Sequence, residues 1–301
     1  MNFDYGNVLT RALQITWKHK SFWLFMMLPM LIGSILFFAF IVPVFLLDGN
    51  EDMMGLVMAA WMGVVALVMI ASFLVSTAGM ASLTLGILRV ERGEGSTSFM
   101  DLVRDGFAYF GRALGVMLII QLTIGLFFTV FFLCIGALTA VTMGIAAICL
   151  QPVMILLTPL SLLVVAVMYG ALVAVIDEDL GALEAVKRAG QVVRDHVWKF
   201  IIITLIVYFG TSIISSIFIF PAMLPVMAGP ILMESGMDMS GQPVILIMLV
   251  FACIFFPLMS LMTGISGAFM TSALGLTYLR LSRPAGNEVV YAPDAPQSDT
   301  L

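Results

Sequence analysis

The stretch ALGVMLIIQLTIGLFFTVFFLCIGALTAVTMGIAAICLQPVMILLTPLSLLVVAVMYGALVAVI, residues 113–176, contains no Asp, Glu, Lys, Arg or His. One helix needs roughly 20 apolar residues to cross about 30 Å of hydrocarbon. The stretch is therefore too long for one crossing and suits two, joined near 143–152. Four more charge-free runs, each suited to one crossing, lie at 21–47, 53–88, 200–233 and 239–279. The sequence thus predicts six membrane crossings.

The distribution of charge supports this number. Only 10% of residues are charged and 62% are hydrophobic, whereas soluble domains have about 25% charged residues. All 13 Lys and Arg residues fall in four patches separated by loops that carry only Asp and Glu. Because Lys and Arg stay in cytoplasmic loops, six crossings with both termini in the cytoplasm are consistent with all four patches. The expected crossings are 21–47, 55–88, 114–140, 152–176, 199–221 and 244–279.

The predicted fold is an all-α integral membrane bundle in one domain, residues 1–283. Three tandem units, at about 5–90, 97–178 and 180–283, each consist of an amphipathic helix followed by a transmembrane hairpin. Residues 284–301 are polar and rich in Pro, which predicts a disordered cytoplasmic tail.

The amphipathic helix that opens each unit is too short and too charged to span a bilayer. In the first unit, Leu9, Leu13 and Trp17 recur at helical spacing. Such helices lie in the headgroup plane with their apolar face toward the acyl chains. A cytoplasmic extension of the following crossing is the alternative.

Two tryptophans mark the expected membrane interface. Trp23 and Trp198 stand at the start of the first and fifth crossings, where indole rings favour the interface, and His19 and His196 precede them. Placed alike in two units, these histidines are ordinary interfacial residues or pH-sensitive contacts to headgroups.

Small residues recur at every fourth position of the second helix of each hairpin. Lipid supplies no hydrophobic force between helices, so small side chains that permit close backbone approach favour packing there. We therefore expect crossings two, four and six to form an inner layer, with crossings one, three and five facing lipid. The predicted packing residues are Ala78, Ser82, Gly86, Ala166, Gly170, Ala174, Gly264, Gly267, Ala268, Thr271, Ser272 and Gly275.

The charge-free runs contain no Asp, Glu, Lys, Arg or His of the kind that membrane enzymes and coupled transporters use. We expect no catalytic residue, no cofactor and no metal, and the chain lacks a basic, aromatic module for nucleic acid. Asp177, Glu178 and Asp179 form the densest acidic group, which suits a divalent cation or the start of the next helix. Gln121, Gln151 and several hydroxyls are suited to hydrogen bonds between helices or to a polar path.

Two segments, ALQITWKHKSFW (12–23) and AVKRAGQVVRDHVW (185–198), resemble repeats in a broad set of bacterial six-helix membrane proteins. That set includes the glycerophosphoryl diester phosphodiesterase membrane domain. The resemblance covers the layout of the whole membrane region, but the residues of those two segments only. It implies a non-catalytic integral domain in the bacterial cytoplasmic membrane, because the catalytic domain of that family is separate and soluble and does not fit in this chain.

These observations favour a non-enzymatic scaffold, assembly or lipid-organising protein of the cytoplasmic membrane. Its expected partners are the bilayer and anionic headgroups at the cytoplasmic face, and a protein partner is left open. The alternative is a transporter or channel for an apolar or amphipathic solute.

Overall fold

The computed structural model describes residues 3–46, 51–94, 98–142, 151–234 and 242–283, and the regular elements in these ranges are helical. The helices are α1 (Tyr5–Lys18), α2 (Ser21–Leu46), α3 (Glu51–Arg92), α4 (Phe99–Gly106), α5 (Phe110–Val141), α6 (Gln151–Asp177), α7 (Ala182–Asp195), α8 (Val197–Glu234) and α9 (Gln242–Ser282), with a 3₁₀ turn at Phe107–Tyr109. The predicted tail, 284–301, and most of the predicted junction at 143–152 lie outside the described residues.

The prediction of an all-α chain with long apolar helices is confirmed. Five helical stretches are long and apolar enough to cross a membrane, so the chain is a multi-pass membrane protein by helix length and composition. Helix α2 begins with a shorter apolar helical stretch, Ser21–Ile35. The five are Met58–Arg92, Phe99–Val141, Leu157–Asp177, Val197–Pro221 and Phe251–Ser282.

One helix continues well past its predicted end. The fifth crossing was expected at 199–221, but α8 continues past Pro221 and remains helical to Glu234. A proline removes one backbone donor and hinders the preceding turn, yet its φ is compatible with a helix. In an apolar sequence, abandoning the helix would leave many more backbone groups without partners, so the helix tolerates the proline.

The densest packing lies at one end of the bundle, where α1, α4 and α7 meet the adjoining ends of the long helices. Toward the other end, large apolar side chains such as Leu67, Leu122 and Ile217 are exposed. Fully or almost fully buried side chains at the packed end come from every helix: Val8, Phe22, Leu83, Leu102, Val116, Leu172, Ala189, Phe200 and Leu274.

The amphipathic helices pack against the bundle, which changes the interpretation of their apolar faces. Leu102 of α4 and Ala189 of α7 are completely buried, so the hydrophobic periodicity of these helices reflects packing against protein. On α1 the buried residues are Val8, Ala12, Ile15 and Thr16. The predicted stripe of Leu9, Leu13 and Trp17 lies on another face. The predicted stripe is exposed, with Leu13 at 53% and Trp17 at 59%, so its contact with the acyl chains stays a prediction, while a second face of α1 packs against protein.

The predicted division into inner and outer helices needs two corrections. The apolar half of α3, predicted to lie in the inner layer, exposes large side chains such as Met62 and Leu67. Large apolar residues of α5 and α8 are exposed, as expected for lipid-facing crossings. The first turns of α2 belong to the core instead, because Phe22, Phe25 and Met26 are buried. Helix α2 lies against both α3 and α9, where neighbouring glycines allow close contact.

Candidate functional site at the basic end of the bundle

The packed end of the bundle carries the Lys and Arg residues, and we call it the basic end. Three acidic residues lie at the end of α6: Asp177 is its last residue, and Glu178 and Asp179 follow it. Four arginines surround them, contributed by α3 (Arg92), α5 (Arg112), α7 (Arg188) and the residue after α9 (Arg283). We call these seven residues the central cluster.

Asp177 pairs with two of these arginines. Arg92 donates from Nη2 to Asp177 Oδ1, and Arg283 Nη2 lies 3.3 Å from the same oxygen. The Asp177 side chain is only 11% exposed. A carboxylate this sheltered from water needs opposite charge around it, and the guanidinium groups provide that charge from α3 and from the end of α9.

Glu178 and Asp179 bring in the remaining helices. Arg188 Nε lies 3.3 Å from Glu178 Oε2, and the Tyr278 hydroxyl donates to Glu178 Oε1 over 3.1 Å. Arg112 donates to both the carbonyl and the carboxylate of Asp179. Asp179 has φ of +54°, a left-handed conformation that Asp tolerates better than most residues and that turns the chain toward α7.

The arrangement indicates that this acidic group forms ion pairs with arginine. The sequence had suggested a divalent-cation site or the start of the next helix. Four guanidinium groups already balance three carboxylates, so a divalent cation would compete with them. Within the part of the chain that the structure describes, no group of three or more His, Cys, Asp and Glu residues is placed to hold a metal ion. The central cluster joins all three units of the fold at one point.

Two further ion pairs and one hydrogen bond surround the cluster. Arg11 of α1 pairs with Glu91 of α3 at 2.9 Å, and Arg89 pairs with Asp105 of α4 at 2.5 Å. Arg280 donates to Asn7 Oδ1 at 2.9 Å, so α1 and the end of α9 lie together.

A second group of cations makes no ion pair within the described ranges. It comprises Lys18, Lys20, Arg104, Lys187 and Arg194, and all five side chains are exposed. They lie on α1, α4, α7 and the turn between α1 and α2. The cations of the basic end therefore comprise arginines that hold helices together, exposed Lys and Arg residues that project outward, and the partly buried Lys199, whose Nζ lies 5.6 Å from the centroid of the Phe3 ring.

The predicted interface residues lie at two equivalent turns, one before α2 and one before α8. Trp23 is partly buried, and its indole Nε1 donates to the Thr16 carbonyl over 2.9 Å. Trp198 is 76% exposed. The His19 ring stacks on Phe22 with centroids 5.3 Å apart, and His196 Nδ1 lies 3.3 Å from the Val192 carbonyl oxygen.

Trp17, treated in the sequence only as a member of a helical stripe, is the exposed indole of the first unit. It is 59% exposed, and its ring centroid lies 5.6 Å from that of Trp23. Its position between Leu13 and Lys18 was the available signal, because an indole between apolar and basic residues is typical of a membrane interface.

The residues predicted for helix packing are mostly buried. Ala78 and Gly267 are partly exposed, and the others are buried: Ser82, Gly86, Ala166, Gly170, Ala174, Gly264, Ala268, Thr271, Ser272 and Gly275. Their contribution to stability remains a prediction. The sequence reading missed Gly79, where an added Cβ would lie 2.7 Å from the Phe25 carbonyl oxygen. Gly79 could have been identified from its spacing, because it lies seven residues before Gly86, two helical turns along the same face.

The described side chains suggested for a polar path are not clustered together. Gln121 and Gln151 are exposed. The Thr123 and Ser216 hydroxyls donate to carbonyls one turn earlier in their own helices, at 2.7 and 2.8 Å. The hydroxyl oxygens of Ser215 on α8 and Ser266 on α9 lie 3.3 Å apart. This contact is a hydrogen bond between helices, the alternative to a polar path.

A cavity of about 420 Å³ opens at the basic end where α1 turns into α2. Its lining combines polar and charged side chains with Trp17 and two aliphatic residues: Arg11, Gln14, Ile15, Trp17, Lys18, His19 and Val90. Burial, followed by the positive charges of Lys18 and Arg11, lowers the pKa of His19. The imidazole is therefore held toward its neutral form.

No protein-family model, no curated protein and no solved structure matches this chain.

Proposed function

We propose that this chain is a non-enzymatic, lipid-organising protein of the bacterial cytoplasmic membrane. It crosses the bilayer six times with both ends in the cytoplasm, and its basic end contacts anionic headgroups. Among the scaffold, assembly and lipid-organising roles considered, the arrangement of charge favours the lipid-organising role.

The single observation that carries the proposal is the division of cations at the basic end. The arginines of the central cluster are occupied with carboxylates, whereas Lys18, Lys20, Arg104, Lys187 and Arg194 are exposed and without ion pairs in the described ranges. Each Lys or Arg near an anionic leaflet contributes about 1 kcal/mol of attraction. Five such residues around one end of a membrane bundle form a surface for negatively charged lipid.

Exposed tryptophans also indicate that the basic end lies at the level of the headgroups. Trp17 and Trp198, 59% and 76% exposed, lie where α1 and α7 pass into the next long helices. Exposed indoles at the ends of crossings favour the headgroup region. The exposed cations next to them would then lie at the level of the phosphates.

The orientation follows from the positive-inside rule applied to the same residues. Because Lys and Arg retain loops on the cytoplasmic side, we place the basic end in the cytoplasm. The contact between Asn7 and Arg280 supports the placement of both ends of the chain on one side.

The lipid role is tested by reconstituting the full chain into nanodiscs of phosphatidylcholine containing one fifth phosphatidylglycerol. Lipid composition of the purified discs is compared with that of empty discs. We expect enrichment of phosphatidylglycerol, and loss of most of it when all five exposed cations are changed to Gln. Changing the exposed acidic residues Glu184→Gln and Asp195→Asn is the matched control and should maintain or increase enrichment. Equal enrichment for the five-cation variant and the native chain would contradict the proposal.

The orientation is tested with single cysteines at Arg104 or Lys187 in a chain freed of its own cysteines. An impermeant thiol reagent added to intact cells should leave both positions unlabelled, and labelling should appear after the membrane is opened. Labelling of either position from outside would reverse the proposed topology.

A further inference from the structure

The cavity where α1 turns into α2 has the composition of a small anion-binding site. Gln14 and Lys18 of α1 and His19 of the following turn contribute hydrogen-bond donors to its lining, and so does Arg11 of α1. Ile15 and Val90 supply apolar wall. Among the described residues, the cavity thus brings together cationic, amide and imidazole donors within about 420 Å³.

The balance of charge in this cavity indicates the charge of its occupant. Arg11 is already paired with Glu91 at 2.9 Å, and the Glu91 side chain is only 5% exposed. Lys18 is exposed and has no ion pair in the described ranges, and burial beside Lys18 and Arg11 disfavours protonation of His19. The cavity therefore has one uncompensated positive charge, together with neutral donors. A singly charged anion satisfies this arrangement, whereas a second negative charge would find no second free cation in the cavity.

The position of the cavity indicates where that anion comes from. Trp17 forms part of its wall and is exposed, as is Leu13 one turn before. Helix α2, which begins three residues after Lys18, continues into an apolar sequence. The mouth of the cavity therefore lies at the level where a crossing helix meets phospholipid headgroups.

We propose that this cavity binds the phosphodiester headgroup of a singly charged phospholipid, with Lys18 as its main counter-ion and Gln14 as a neutral donor. The inference rests on the proposed lipid role and gives it one defined site. Arg11 is a positioning residue as well as a donor, because its pair with Glu91 holds its guanidinium at the cavity wall. Trp17 packs beside the glycerol backbone of the lipid.

The test uses the full chain in mild detergent with four added probes: phosphatidylglycerol, phosphatidylcholine, phosphatidic acid and inorganic phosphate. Bound lipid is counted by native mass spectrometry, and affinity is measured from the rise of the unfolding temperature with probe concentration. We expect one phosphatidylglycerol per chain to bind more tightly than the other three probes. Loss of a charged hydrogen bond should weaken this binding about tenfold or more in Lys18→Gln.

Lys20→Gln is the matched control, because Lys20 is also exposed and makes no ion pair in the described ranges but does not line the cavity. It should retain binding within about twofold, since an exposed charge outside the site contributes little to one bound ligand. Gln14→Leu keeps every charge and should weaken phosphatidylglycerol binding by a smaller factor than Lys18→Gln. The unfolding temperature without probe should be the same for all three variants.

The outcomes separate the site from the general role. If Lys18→Gln and Lys20→Gln weaken binding equally, the cavity is not the site, although enrichment of anionic lipid in nanodiscs would leave the proposed function intact. Tighter binding of phosphatidic acid would overturn the singly charged occupant. Inorganic phosphate that binds as well as phosphatidylglycerol, with the same dependence on Lys18, would replace the lipid by a soluble phosphate. Absence of both the bound lipid and the enrichment would overturn both proposals.

Discussion

Helix α2 is held between α3 and α9 by two glycines whose replacement by alanine should destabilise the bundle. A Cβ added at Gly79 of α3 would lie 2.7 Å from the Phe25 carbonyl oxygen, and one added at Gly264 of α9 would lie 2.8 Å from the Trp23 carbonyl oxygen. Both obstacles belong to the backbone of α2. Neither can be removed by rotation of a side chain, so the helices themselves must move apart.

The expected effect is the difference between two terms. Forcing one extra methyl group into a close-packed contact costs about 1–3 kcal/mol, and alanine recovers roughly 0.5–1 kcal/mol because it loses less backbone entropy than glycine in a helix. We expect Gly79→Ala and Gly264→Ala each to lower the free energy of unfolding by about 1–2 kcal/mol. The double variant should lose less than the sum, since both substitutions displace the same turns of α2.

The assay is thermal unfolding of the purified chain in one detergent, with Gly63→Ala as the control. Gly63 lies on the same helix as Gly79 and has no atom near its added Cβ. This variant should therefore be unchanged or more stable by up to about 1 kcal/mol. If Gly79→Ala and Gly63→Ala shifted the unfolding temperature in the same direction by similar amounts, the close approach of α2 to α3 would be wrong.

Substitutions at three further positions test the basic end. Asp177→Asn leaves two arginines without their carboxylate and should lower the free energy of unfolding by about 1–2 kcal/mol, measured by denaturation in detergent. The loss is smaller than for a fully buried ion pair because those arginines are partly exposed. Asp179→Ala should be about 1 kcal/mol less stable than Asp179→Asn in the same assay, because Ala is strained at a positive φ that Asn tolerates. Folding lowers the pKa of His19 from 6.5, so the unfolded chain binds more protons and stability should fall as pH drops below about 6.5. Unfolding temperatures measured across pH 5–8 should lose this part of the slope in His19→Gln; an unchanged slope would exclude His19 as its source.

The positions of the long helices could be predicted from the sequence because the required length and the absence of charge are local properties. The run 113–176 requires two helices whatever they pack against, and α5 and α6 occupy it as expected. The end of α8 could not be predicted in the same way. Pro221 stops a helix in water, where freed backbone groups find solvent, but the helix continues in an apolar chain where they would remain unpaired.

The central cluster could not be predicted because its members are far apart in sequence. Asp177 is 85 residues from Arg92 and 106 residues from Arg283. The sequence shows that acidic and basic residues share one end of the bundle, but it does not choose between a bound cation, a helix cap and an arginine for each carboxylate. That choice depends on how the ends of α3, α6 and α9 meet, which is set by packing along the full length of the helices.

The choice of buried face on α1 shows the same limit and leads to a last prediction. Two apolar stripes run along this helix at the same spacing, one containing Ile15 and the other containing Leu13. In a soluble protein the more hydrophobic stripe would be buried, but here lipid covers apolar side chains as well as protein does. Hydrophobicity alone therefore cannot choose between the stripes.

The structure buries Ile15 to 2% exposure and leaves Leu13 53% exposed. Ile15→Ala should thus create a cavity and lower the free energy of unfolding by about 2–4 kcal/mol, whereas Leu13→Ala should change it by no more than about 0.5 kcal/mol. Chemical denaturation of both variants in the same micelle makes the comparison, and each substitution removes the side chain beyond Cβ from the same helix. The reverse order would place Leu13 in the core, turn the face of α1 that carries Ile15 outward, and remove the cavity at the end of α1 in which we place the phospholipid headgroup.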